Sequence, residues 1–149
     1  MLRPTALHVS CTRRWAKFKE RIVIQSKYIR DILTLLLDGD PEGLAAKKQL
    51  DYIRENKSNY TGAGVFVSFE HLQGIVSYKT ENKELILDGV IINSPELNIG
   101  AIATLFFKDG LADYLEIWSY DGEYPEKELR NYELKQEWNE SPNRKTINN

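Results

Sequence analysis

The residues best suited to chemistry are carboxylates, with Asp113, Glu116, Asp121 and Glu123 close together in the last third of the chain. Such pairs can serve as acid and base on a glycosidic bond or hold a hard cation. The first use needs an enclosing pocket and the second a regular ligand loop, and Asp121, Glu123 and Glu126 lack the glycine and terminal acid of an EF-hand. His71 follows Glu70 directly, so in a strand the two point to opposite faces and Glu70 cannot orient it as a general base. Cys11 is the sole cysteine and has no base beside it; it forms no intramolecular disulfide, and no paired Cys/His spacing for zinc exists. Thr61-Gly-Ala-Gly64 has the look of a phosphate loop, but its glycines precede a strand, whereas phosphate-binding glycines lead into a helix. A sharp entry into a sheet fits them better. The chain therefore reads as a binder, not an enzyme, and nothing in it calls for a cofactor or a metal.

The same stretch is rich in aromatic residues: Tyr114, Trp118, Tyr120, Tyr124, Tyr132 and Trp138. In a strand, residues 114, 116, 118 and 120 share one face, while Leu115 and Ile117 point the other way. If helices cover Leu115 and Ile117, the row Tyr114, Glu116, Trp118, Tyr120 lies on the opposite surface, where aromatics and acids act as anchors and rim of a protein interface. The competing arrangement has Tyr132 and Trp138 folding back to cover the row. Tyr114, Glu116, Trp118, Tyr120, Asp121 and Glu123 are the expected partner contacts.

The elements that would position this row follow from periodicity. Between Ile24 and Leu37 apolar residues recur at three- and four-residue steps, which predicts a helix capped by Ser26 and ended at Gly39 in the left-handed conformation. Asp40-Pro41 opens a second helix running to about Asn56–Asn59. Beyond Gly64 the period becomes two, predicting strands at Val65–Phe69, Ile75–Lys79, Leu85–Ile92, Ala101–Lys108 and Leu111–Ser119, with a sixth at Tyr132–Gln136. Lys108-Asp109-Gly110-Leu111 is the strongest hairpin signal. The predicted class is α+β, a helical hairpin packed on one face of an antiparallel sheet of about five or six strands.

Charge and length set the outer limits. The 149 residues, 42% hydrophobic and 28% charged, suit one globular domain, here placed at residues 23–138. A net charge of −2 hides an asymmetry: Arg3, Arg13, Arg14, Lys17, Lys19 and Arg21 stand against Glu20 in residues 1–22, while ten acids between Asp109 and Glu140 face only Lys127, Arg130 and Lys135. Residues 1–22 lack sustained periodicity. Lys19-Glu20-Arg21 can be encoded as AAG GAG AGA, a bacterial ribosome-binding sequence, ahead of a Val23 encodable as GTG, so the segment is read as an upstream extension. Its rivals are a frayed tail and a basic arm in which Trp15 and Phe18 stack on bases; no direct nucleic-acid contact is expected of the domain itself. From Asn139 onward Asn, Ser, Pro, Lys and Arg predict a disordered tail. No apolar run reaches the roughly 20 residues of a membrane span, and no signal-peptide core is present, which points to the cytoplasm.

Thr61-Gly-Ala-Gly-Val-Phe-Val-Ser-Phe69, Gly100-Ala101 and the run Leu105-Phe-Phe-Lys-Asp-Gly-Leu-Ala-Asp-Tyr-Leu-Glu-Ile-Trp-Ser-Tyr120 resemble a group of small, mostly uncharacterised bacterial proteins. The likeness covers about Ile29 to Pro125. Single-domain acidic proteins of this kind also resemble the immunity proteins of bacterial toxin systems, including contact-dependent inhibition. That resemblance implies a cognate toxin as partner, often a nuclease whose basic substrate site the acidic surface would occupy. The alternative is a small-ligand or sensor module with its pocket between helices and sheet.

Overall fold

The computed structural model describes residues 23–137 and 146–149. The basic segment 1–22, with Cys11, and the aromatic Trp138 lie outside the described residues. Helix α1 spans Lys27–Asp38, and the Ser26 hydroxyl accepts from the Ile29 N–H at 3.1 Å, the cap that the sequence predicts. A second tie holds this end of the helix. The Glu55 carboxylate accepts from the N–H groups of Gln25 and Ser26, placing negative charge at the positive end of the helix dipole. Tyr28, Ile29, Ile32, Leu33, Leu35, Leu36 and Leu37 are all buried. Each is worth roughly 1.5–3 kcal/mol of apolar transfer, so α1 is held by its packing more than by helix propensity.

Helix α2 (Pro41–Ala46) starts as expected, with Asp40 as cap, but it is short. A 3-10 segment, Lys47–Tyr52, replaces its second half, and the chain from Ile53 is already in the sheet. The predicted helix to Asn56–Asn59 is thus corrected to strand β1, Ile53–Tyr60. Gly39 is corrected as well: its φ is −86°, a right-handed conformation. The glycine is there for space, because a Cβ at Gly39 would come within 1.8 Å of the Gln136 amide nitrogen.

The sheet continues with β2 (Gly64–His71), β3 (Ile86–Asn93), β4 (Ala101–Lys108), β5 (Leu111–Ser119), β6 (Glu133–Gln136) and β7 (Thr146–Asn148). Its order is β1-β2-β5-β4-β3-β6-β7, and every neighbouring pair is antiparallel. The α+β class and the helices on one face are as the sequence predicts. The described residues form seven strands where five or six are expected. Both extra strands are at sheet edges, where pairing on one side suffices and apolar alternation is weak. Thr146–Asn148, assigned by composition to a disordered tail, is one of them. The expected strand Ile75–Lys79 is instead a 3-10 turn, Ile75–Tyr78, entered through Gly74 at φ 101°. At the β4–β5 turn Asp109 and Gly110 both have positive φ, 53° and 80°, as a tight two-residue hairpin with matching twist requires.

Beneath that hairpin sits a polar side chain that periodicity does not reveal. Gln49 is 1% exposed; its amide nitrogen donates to the carbonyls of Tyr78 and Gly110, and its oxygen accepts from the Ala112 N–H. One side chain thereby fastens the 3-10 segments to the β4–β5 hairpin. Replacing Gln49 with Leu keeps the volume and strands the buried Ala112 N–H, so we expect a loss of about 3 kcal/mol. Urea unfolding should show a lower midpoint at unchanged slope.

At the other end of the sheet the Glu96 carboxylate accepts from the N–H groups of Arg130 and Asn131 and lies 3.7 Å from the Lys127 ammonium. Those backbone donors, and secondarily Lys127, lower its pKa from 4.5. A lowered folded-state pKa contributes stability that is fully present above the unfolded value and is lost as pH falls through the folded one. Melting temperatures of wild type and Glu96→Gln should accordingly differ at neutral pH and converge on the acid side of 4.5.

Candidate functional site on the open face of the sheet

Strand alternation divides the sheet into two unlike faces. Leu115 and Ile117 of β5, Ala103 and Leu105 of β4, Val65 and Val67 of β2, Val90 and Ile92 of β3, and Leu134 of β6 are buried on the helix side. The alternate positions form the other face. Cross-strand pairs there are Ser68 with Tyr114, Phe66 with Glu116, Tyr114 with Phe106, Phe106 with Ile86, Glu116 with Thr104, Trp118 with Ile102, and Ile102 with Ile91. Phe66, Phe106, Tyr114, Trp118 and five aliphatic or small partners thus make one plate across four strands. Phe106 and Tyr114 stack with ring centroids 4.6 Å apart, and Phe66 meets Tyr114 at 6.0 Å.

No described helix or loop covers this plate. Trp118 is 46% exposed, Tyr120 49% and Ile86 57%. Of the two residues that the competing arrangement folds over the row, Tyr132 lies on the helix side, as does Tyr124, and Trp138 lies outside the described residues. Tyr132 packs on Tyr28 at 4.8 Å and donates to Asp31, while the Tyr124 hydroxyl bonds that of Tyr28 at 2.9 Å. Burial raises the pKa of both Tyr124 and Tyr28, so these hydroxyls stay protonated and serve packing.

Glu116 stands within the plate, between Phe66 and Thr104 on the neighbouring strands, and its carboxylate makes no hydrogen bond or ion pair with another described residue. Asp113 joins it through a β-bulge. Pairing runs from Phe106–Tyr114 to Phe107–Ala112, leaving Asp113 unmatched, so its side chain escapes strict alternation and lines the same surface as Tyr114. Partial burial, then the charges of Glu116 and Asp113, raise the Tyr114 pKa. Lys57, Asn59, Phe66, Ser68, Asp113 and Tyr114 enclose a shallow depression of about 290 Å³.

The six expected contact residues therefore divide. Tyr114, Glu116, Trp118 and Tyr120 share the open face. Asp121 makes a turn instead: its carboxylate accepts from the Ser119 hydroxyl, the Asn98 amide and the Glu123 N–H, bonds that lower its pKa. Glu123 supplies a backbone donor to that turn and its side chain is exposed. Phe66, Ile86, Ile91, Ile102 and Phe106 belong to the face although the sequence reading did not assign them to it. Their alternation was visible, but only the strand order brings them beside β5.

The side chains on this face can stack, bury apolar surface and attract cations. Among the described residues no three His, Cys, Asp or Glu side chains converge as a metal site. The His71 ring nitrogen Nε2 lies 2.6 Å from the Ala112 carbonyl, a bond across to the end of β5. Thr61-Gly-Ala-Gly64 closes the β1–β2 hairpin, with the Thr61 N–H donating to the Gly64 carbonyl. None of the described helices is long and apolar enough to cross a membrane. No protein-family model, curated protein or solved structure matches this chain.

Proposed function

We propose that the chain is a non-catalytic protein-binding domain, an immunity-type protein whose open sheet face blocks a basic site on a cognate bacterial toxin in the cytoplasm. The plate of Phe66, Phe106, Tyr114 and Trp118, which no described element covers, with Glu116 set into it, carries this reading. Large rigid rings lose little entropy on binding and anchor interfaces well. Two carboxylates without cationic partners among the described residues favour an arriving Lys or Arg through charge, and the adjacent rings favour it through cation–π attraction. The test is co-expression with the product of the neighbouring gene. A stable complex and relief of toxicity are expected; absence of both would sink the reading.

A second reading, a small-ligand or sensor module, draws on the depression between β1, β2 and β5, where Lys57 and Asp113 flank an aromatic floor. It lies on the open face, not between helices and sheet where the sequence predicts such a pocket. This reading predicts a thermal shift with a small molecule and no requirement for a protein partner.

A further inference from the structure

The depression on the open face has walls of opposite charge. Lys57 pairs with Ser68 across β1 and β2, and Ser68 with Tyr114 across β2 and β5, so the three form one row over three strands, with Asp113 beside Tyr114. Two strand spacings, about 10 Å, separate the outer walls. Phe66 and Tyr114, their ring centroids 6.0 Å apart, give the depression its aromatic surface.

The charges on these walls differ from their neighbours in having no partner. Arg54 and Glu70 bind each other through two hydrogen bonds of 2.9 Å. Glu55 holds the N–H groups ahead of α1, and the His71 ring bonds the Ala112 carbonyl. The remaining charged side chains of β1 and β2 are thus engaged within the fold. The Lys57 ammonium and the Asp113 carboxylate make no hydrogen bond or ion pair with a described residue, and they do not pair with each other. Glu116 reinforces the acidic wall: partial burial raises the Tyr114 pKa, and the charges of Glu116 and Asp113 both add to it.

Shape and charge together select the occupant. Sites for free small molecules enclose most of their ligand's surface, in about 300–1,000 Å³. A shallow depression of about 290 Å³ encloses less and suits one side chain projecting from a larger partner. At the acidic wall that side chain must meet carboxylate and ring together. A planar guanidinium does this better than an ammonium, pairing with a carboxylate through two parallel bonds and stacking on aromatic faces. The opposite wall favours an anion. Contacts of about 2.8 Å at each wall leave roughly 4 Å or more between the occupant's own charges. An arginine stem spans that distance, whereas the ammonium and carboxylate on one α-carbon fall short of it.

We infer that the depression receives an arginine of the protein partner, its guanidinium on Asp113 against Phe66 and Tyr114, with a carboxylate of the same partner segment on Lys57. This subsite rests on the partner reading above and narrows it, because the docking segment is then dipolar rather than uniformly basic.

The smallest probe with both charges is N-acetyl-arginine, titrated into the full chain while the NMR signals of the Phe66 and Tyr114 rings are followed. Saturable shifts are expected with a Kd of about 1 mM, the order that ordinary ligand efficiency gives a molecule of this size. Asp113→Asn and Lys57→Gln should each weaken binding about five-fold. N-acetyl-arginine amide, which lacks the carboxylate, should be indifferent to Lys57→Gln, and N-acetyl-citrulline, which lacks the cation, indifferent to Asp113→Asn. This pairwise match separates direct contact from a disturbed fold. No saturable shift of either ring, equal affinity for the arginine and citrulline forms, or unchanged affinity in Asp113→Asn would overturn the subsite. So would free L-arginine binding about ten-fold more tightly than its acetylated form, which would assign the depression to a small molecule. The titrations contain no partner, so their failure is distinct from failure of the co-expression test. A complex that forms as well with Asp113→Asn as with wild type would keep the partner and remove the subsite.

Discussion

Trp118→Arg should leave the protein folded and weaken its complex with the neighbouring-gene product by about 30-fold or more. The indole is 46% exposed and its strand neighbours, Gly64 and Ile102, are open-face residues, so losing it opens no cavity in the core. A surface change of this kind moves stability by only about 0.5 kcal/mol. Binding is another matter. An aromatic anchor at the centre of an interface contributes roughly 2 kcal/mol or more, and the arginine adds a charge opposed to a basic partner. Glu116→Lys should act by a different route, mainly slowing association, with an effect that shrinks as salt is added. Calorimetry for affinity, stopped-flow for the on-rate and a thermal melt for the fold separate these outcomes.

Gly64→Ala should cost about 4 kcal/mol or more, a large share of what a domain of this size has to lose. A Cβ at Gly64 would lie 1.9 Å from the Ile117 carbonyl oxygen and 3.2 Å from the Trp118 Cα. Both are backbone atoms of β5 and cannot turn aside as a side-chain tip can. The methyl group must therefore part β2 from β5 at the start of their ladder, where Gly64 pairs with Trp118. That ladder is the long-range contact joining the β1–β2 hairpin to the rest of the sheet, and it also carries Phe66 to Tyr114. Denaturant unfolding should show the stability loss, and any folded fraction should bind the partner less well because the plate is split. Wild-type stability in Gly64→Ala would mean that the β2–β5 contact is looser than described.

The local parts of this architecture were readable because each rests on nearby residues. Ser26 caps α1, Asp40 caps α2, and Asp109-Gly110 adopts the positive φ angles of its hairpin, all as the sequence predicts. What failed depended on distant pairing. Ile53–Tyr60 carries no apolar alternation because β1 is an edge strand, and only β2 makes it a strand at all. Ile75–Tyr78 has β-prone residues but turns instead, held by Gly74 and by Gln49 reaching the Tyr78 carbonyl.

The candidate face shows the same division. The row on β5 followed from a period of two, whereas the plate needed β4 on one side and β2 on the other, an order that hairpin signals do not specify. Asp113 reached it through a bulge that shifts the face on which a residue lies. Gln49 and Gln136 escaped notice because a buried amide looks, in sequence, like any surface glutamine.

The central claim is that a protein partner docks on the open sheet face, and isoleucine methyl NMR tests it most directly. Ile86, Ile91 and Ile102 lie on that face, while Ile29, Ile32, Ile92 and Ile117 are buried on the helix side, so a single labelling scheme samples both. On titration with the neighbouring-gene product, the first three methyl signals should shift or broaden and the other four should stay nearly in place. Shifts concentrated on the helix-side isoleucines, or no shifts at all, would contradict the account.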